Sequence, residues 1–123
     1  MHYVRPLLAA LVAMSAYALD IQPYSPDALS KAQAAGKPVA LHFRADWCPT
    51  CRAQDKALNS LKADKDLNIA ILDVDYDKEK ALEKKLGVET QSTFIVYKGN
   101  AEKGRIAGET TPDKIKAALK TAL

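Results

Sequence analysis

The sequence predicts an α/β sandwich in which one sheet of about four strands lies between helices. Three observations carry this. Pro38 to Ala45 is apolar at nearly every position up to Phe43 except His42, the pattern of a central strand covered on both faces. Leu67 to Asp75 is a second buried run, and the stretch between them has helical apolar spacing. Strand, helix and strand then form a right-handed βαβ unit with parallel neighbours. Thr93 to Tyr97 is a third strand, followed by a turn at Lys98-Gly99-Asn100 and a less apolar hairpin partner, Lys103 to Ala107, at an edge.

The helices fall between these strands. Leu19 to Tyr24 is at most a small edge strand, because Pro23 interrupts it. Ser25-Pro26-Asp27 supplies an N-cap, an N1 proline and a first-turn acid, and the helix buries Ala28, Leu29, Ala32 and Ala35 before Gly36 ends it. A helix from Cys48 to about Lys62 turns Ala53, Ala57, Leu58 and Leu61 inward. Lys78 to Leu86, closed by Gly87, places Ala81, Leu82 and Leu86 inside. After the break at Gly108, Thr111-Pro112-Asp113 opens a last helix whose Ile115, Ala118, Leu119 and Leu123 face the core.

The N-terminus reads as a targeting segment. Arg5 precedes the apolar run Leu7 to Met14, and Ala16-Tyr17-Ala18 has the small-x-small form of a signal-peptidase site. The run is well short of the ~20 residues that span a bilayer. We therefore expect a cleaved secretory signal at 1–18 and a single domain at 19–123. The product would be periplasmic or secreted, with no membrane insertion after cleavage, in a compartment that permits disulfides. Arg5 is the only charged residue of that segment, so removing it lowers the net charge from +3 to +2. The remaining charges are interspersed, which argues against a nucleic-acid partner. Asp73, Asp75, Asp77 and Glu79 resemble the start of a calcium loop, but the turn glycine and closing glutamate are missing.

Both cysteines, Cys48 and Cys51, stand two residues apart where the first strong strand meets a helix. Free N–H groups and the positive dipole end of that helix would stabilise a thiolate, which suits dithiol–disulfide chemistry. A structural bridge across so short a loop would add little stability. A zinc site lacks ligands, since His42 is the one histidine beyond residue 18.

From about Lys37 to Leu123 the sequence resembles the thioredoxin family. The resemblance rests on a strand ending Phe43-x-Ala45-x-Trp47-Cys48-x-x-Cys51, then Leu72-x-Val74-Asp75, Leu86-Gly87-Val88, Thr93-Phe94-x-Val96-Tyr97-Lys98-Gly99 and Gly108. With the leader, it is similar to periplasmic thioredoxin-like proteins and to the thioredoxin-like end domains of membrane electron-transfer proteins. The resemblance implies a thioredoxin-like fold and reversible exchange with protein thiols and disulfides. It also implies a redox-active Cys48–Cys51 disulfide, with Cys48 as nucleophile and Cys51 as the resolving thiol. No cofactor or resident metal is implied, a membrane thiol reductant is a candidate partner, and a monomer is expected. Trp47 would shield the thiolate and touch substrates, and Pro49 and Thr50 would tune the potential. Arg44, Arg52 and Lys56 are candidate sources of positive potential.

Three positions depart from the family pattern. His42 stands where a buried acid commonly accepts the second cysteine's proton, and is a candidate for that role. Ile71 replaces the lysine that often partners the acid. Ser92 replaces a cis-proline before Thr93, in the loop facing the cysteines. A non-proline cis bond costs about 2.5–4 kcal/mol, so Gln91–Ser92 should be trans. Ser92 also adds a hydroxyl and removes a ring that screens the thiols from metal ions. A Cu(I)-binding protein using two soft thiolates is therefore the alternative function.

Overall fold

In the computed structural model, residues 18–123 are described, so the expected signal segment lies outside them except for Ala18. The elements are β1 (Leu19–Pro23), α1 (Pro26–Ala34), β2 (Pro38–Arg44), α2 (Pro49–Leu61), β3 (Ile69–Asp75), α3 (Lys80–Leu86), β4 (Thr93–Lys98), β5 (Ala101–Ala107) and α4 (Pro112–Lys120). They build one sheet in the order β1-β3-β2-β4-β5. The sheet thus has five strands rather than about four. β1 lies parallel to β3 along its whole length, from Leu19 opposite Ile69 to Pro23 opposite Asp73. Only Leu19 of its five residues is fully buried, and that is why its apolar signal is weak. β2 is parallel to β3 and antiparallel to β4, as the βαβ reading requires.

Strand alternation divides the interior in two. Ala40, Ile71, Phe94 and Val96 face Leu58 and Leu61 of α2 and Ile115 and Leu119 of α4. Leu41, Phe43, Val74 and Ile95 face the other way, where Leu29 of α1 and Leu82 and Leu86 of α3 cover them. With helices on both faces, β2 is buried at five consecutive positions, which explains why its run is apolar at all of them but His42.

Four expected core positions are different. Leu123 is exposed and Ala122 is buried in its place, because the chain leaves α4 at Thr121. Ala35 is the exposed C-cap of α1. Ala53 and Ala81 face solvent, while Gln54 and Glu83 turn inward. In α2 the inward stripe is therefore Cys51, Gln54, Ala57, Leu58 and Leu61. That stripe starts at the cysteine and carries a polar side chain along the floor of the site.

Candidate active site

β2 delivers the chain to the N-terminus of α2, and Cys48 is that helix's N-cap. Its sulfur does the work usually done by a serine or aspartate oxygen, accepting the Cys51 backbone N–H at 3.1 Å. Pro49 occupies the first turn, where the missing N–H costs no helical bond. Both cysteines are free thiols here and both are almost wholly buried.

Ser92 lies directly against the pair. Its hydroxyl is 3.3 Å from the Cys48 sulfur and 3.0 Å from the Cys51 sulfur, so one oxygen bridges both reacting atoms. Burial is the largest influence on Cys48 and pushes its thiol up. Hydrogen bonds from the Cys51 thiol, Ser92, the Cys51 N–H and Gln91 outweigh it and hold Cys48 below the ordinary thiol range. Cys51 goes the other way: burial pushes it up, and its bond to the Cys48 sulfur favours keeping its proton. Opposite shifts on adjacent thiols separate a nucleophile from a proton-bearing partner.

The Ser92 backbone is the one non-glycine position with positive φ among the described residues, at 66°. No cis peptide bond occurs among these residues, so Gln91–Ser92 is trans, as expected from its sequence. Three hydrogen bonds hold this strained conformation. The Ser92 N–H donates to the Phe43 carbonyl at 2.8 Å, and its carbonyl accepts the Gly108 N–H at 2.9 Å. Gln54 supplies the third, its side-chain amide donating at 3.0 Å to the same Ser92 carbonyl. That amide also donates to the Glu109 carbonyl at 2.9 Å, so Gln54 ties the Ser92 loop to the segment after β5.

The other end of Gln54 meets His42. Since the amide nitrogen donates to two carbonyls, Oε1 must accept the 2.7 Å bond from His42 Nε2, which fixes the proton on Nε2. His42 stacks on Phe94, its cross-strand partner, with ring centroids 4.0 Å apart. Its Nδ1 has no hydrogen-bond partner and lies 3.8 Å from Asp73 Oδ1, which also has none. His42 is not hydrogen-bonded to either sulfur. It reaches them only through Gln54 and the Ser92 backbone, a different connection from that of a direct proton acceptor.

Trp47 is 56% exposed beside the buried Cys48, and its indole N–H donates to Asp77 at 2.7 Å. Thr93 starts β4 and uses its hydroxyl on the Thr90 carbonyl at 2.8 Å, bracing the loop rather than facing the sulfurs. Two of the three cations expected to assist the thiolate are otherwise engaged. Arg44 pairs with Asp55 and Asp46, and Arg52 donates to the Asp46 carbonyl. The thiolate is stabilised by hydrogen bonds from neutral groups.

The family model for thioredoxin matches residues 25–121. The chain belongs to the thioredoxin family. This thioredoxin is 34% identical over 86 residues to thioredoxin H4 of Arabidopsis thaliana, covering 69% of this chain and 71% of that one. It is 36% identical over 85 residues to a thioredoxin of Mycolicibacterium smegmatis, covering 68% and 72%. Among solved structures, it superposes on Trxlp from Edwardsiella tarda EIB202 with a TM-score of 0.76 at 37% identity, covering 81% of this chain and 98% of the other. These likenesses and the adjacent cysteines make it a protein disulfide oxidoreductase, an activity directed at protein disulfides.

The structure thus gathers Cys48, Cys51 and Ser92 at one point, with Trp47, Pro49 and Thr50 around them. The sequence reading missed Gln54. A signal was present: Gln54 lies three residues after Cys51 and four before Leu58, a polar residue within an apolar helical stripe.

Proposed function

We propose that this thioredoxin exchanges thiols and disulfides in exported proteins, using Cys48 and Cys51 as its redox-active pair. In this reading residues 1–18 are removed on export, the mature chain works as a monomer in the periplasm or outside the cell, and a membrane thiol reductant restores its dithiol. The charged and apolar order of the first 18 residues supports the location. The observation that carries the chemistry is the Cys48 sulfur held as a helix cap, with Ser92 as its second hydrogen-bond partner.

The reaction follows from that geometry. The Cys48 thiolate attacks one sulfur of a substrate disulfide, and the bond's electron pair leaves on the other, giving a mixed disulfide. Cys51, once deprotonated, attacks the Cys48 sulfur and expels the substrate's second thiolate. The substrate gains two electrons and the thioredoxin is left with a Cys48–Cys51 disulfide.

The test is a titration of the pair in glutathione redox buffers, read by Trp47 fluorescence, together with insulin reduction. A two-electron midpoint and activity lost in Cys48→Ser are expected. Stoichiometric Cu(I) binding with no exchange activity would overturn the reading. Activity retained in Cys48→Ser would remove Cys48 from the nucleophile's role. The cellular location is tested separately by fractionation and N-terminal sequencing, with Leu19 expected as the first residue.

A further inference from the structure

Ser92 is almost fully buried, and its hydroxyl contacts both reacting sulfurs. During the reaction, negative charge resides on those sulfurs in turn. In the reduced protein Cys48 carries it. In the mixed disulfide Cys48 is neutral, and the charge must form on Cys51 before attack. A hydroxyl has one proton to donate and rotates freely about its C–O bond. Meanwhile its Cα is clamped by the bonds to Phe43, Gly108 and Gln54, so rotation needs no backbone movement.

We propose that the Ser92 hydroxyl is a catalytic donor that follows the charge, bonding first to the Cys48 thiolate and then, after rotation, to the Cys51 thiolate. The inference deepens the function proposed above and rests on it. In the resolving step Cys51 loses its proton to water, and its thiolate forms the bond to Cys48 while accepting the Ser92 hydrogen bond. The Cys48–substrate bond breaks with its electron pair on the departing sulfur, which takes a proton from water. Ser92 itself is unchanged. In reverse, when a reductant opens the Cys48–Cys51 disulfide, the same donor stabilises the departing Cys51 thiolate.

The Cys51 N–H also donates to the Cys48 sulfur, but it is fixed in the backbone and serves that sulfur alone, and no charged side chain takes this role. The titratable and charged side chains on the surrounding elements include His42 and Arg44 on β2, Asp73 on β3, Arg52, Asp55 and Lys56 on α2, and Glu109 after β5. His42 bonds Gln54, Arg52 bonds the Asp46 carbonyl, Asp55 pairs with Arg44, the Glu109 carboxylate accepts the Thr111 N–H, and Asp73 Oδ1 has no hydrogen-bond partner. None is hydrogen-bonded to a sulfur or to the Ser92 hydroxyl.

Two variants are decisive together: Ser92→Ala keeps Cβ and loses only the hydroxyl, and Ser92→Gly loses the hydroxymethyl group but adopts a φ of 66° without strain. An effect shared by both belongs to the hydroxyl. Reduced protein is mixed with oxidised glutathione and followed by Trp47 fluorescence across pH. The concentration-dependent phase reads attack by Cys48, and the plateau at saturating glutathione disulfide reads resolution by Cys51. Loss of one hydrogen bond to a charged group should slow each phase about tenfold at neutral pH. The rates should converge with wild type at alkaline pH, where both thiols ionise unaided. The thiolate absorbance of Cys48 should titrate at higher pH, and the equilibrium with glutathione should shift about tenfold, or ~30 mV, towards a more reducing couple. Wild-type rates in Ser92→Gly would overturn the proposal. So would slowing of one phase alone, or slowing that persists equally at every pH, the mark of altered packing. Absence of exchange in the wild-type protein would instead refute the proposed function, so the two failures are distinct.

Discussion

Replacing Gln54 with leucine tests whether the polar floor of the site is structural. Gln54 is fully buried and makes three hydrogen bonds, to His42, Ser92 and Glu109. In Gln54→Leu the His42 Nε2 proton would be left without a partner in the core, at a cost of about 1–3 kcal/mol. The Ser92 carbonyl keeps its bond from the Gly108 N–H. The Glu109 carbonyl belongs to a half-buried residue, so hydration replaces much of its lost bond. Leucine nearly matches glutamine in volume, and its burial offsets roughly 1 kcal/mol. The expected net loss is about 1 kcal/mol in a urea titration of the reduced protein, or about 5 °C in Tm for a domain of this size. His42→Phe supplies the second arm, since it keeps a ring to stack on Phe94 and removes the orphaned donor. The double variant should be less costly than the sum of the singles by about 1–2 kcal/mol. Stability of Gln54→Leu within about 0.5 kcal/mol of wild type, or strict additivity, would refute the reasoning.

Two further substitutions probe the remaining buried polar atoms. Glu83 is buried in α3 with Oε2 unpartnered and Oε1 3.5 Å from Lys80, and burial pushes its carboxyl up despite that lysine. A raised folded-state pKa means that stability is fully present below the unfolded glutamate value and is lost as pH rises through the folded one. Glu83→Met should therefore gain about 1 kcal/mol at neutral pH, with the gain vanishing in acid; equal gains at both pH values would contradict this. Asp73→Asn would turn one of two facing acceptors into a donor for His42 Nδ1, and thermal unfolding should show a gain of about 0.5–1.5 kcal/mol. No gain would mean that the 3.8 Å gap does not close.

Much of this molecule was legible because its strands are covered on both sides. Double burial made β2, β3 and β4 largely apolar, and proline-led caps marked α1 and α4. β1 was hard to read because an edge strand with one fully buried residue has little pattern to show. Helix faces were harder still. At α2 and α3 the apolar spacing points Ala53 and Ala81 inward, whereas both are exposed and Gln54 and Glu83 are buried. Apolar content alone cannot reveal a polar residue placed inside to hold a loop.

The same physics connects the sequence's departures from the family pattern. A proline before Thr93 would offer no backbone N–H, whereas Ser92 donates one to the Phe43 carbonyl. Serine at a positive φ is strained by about 1–3 kcal/mol, so the loop needs tethers. Gln54 is one of them, and an amide that donates to both the Ser92 and Glu109 carbonyls leaves its oxygen facing β2. That oxygen requires a donor. An ionised aspartate at position 42 would offer only acceptors, while a histidine protonated at Nε2 satisfies it. His42, Gln54 and Ser92 therefore form one interdependent set. His42→Asp alone would set a carboxylate against the Gln54 oxygen, so restoring the family's usual acid should destabilise this thioredoxin unless Gln54 changes as well.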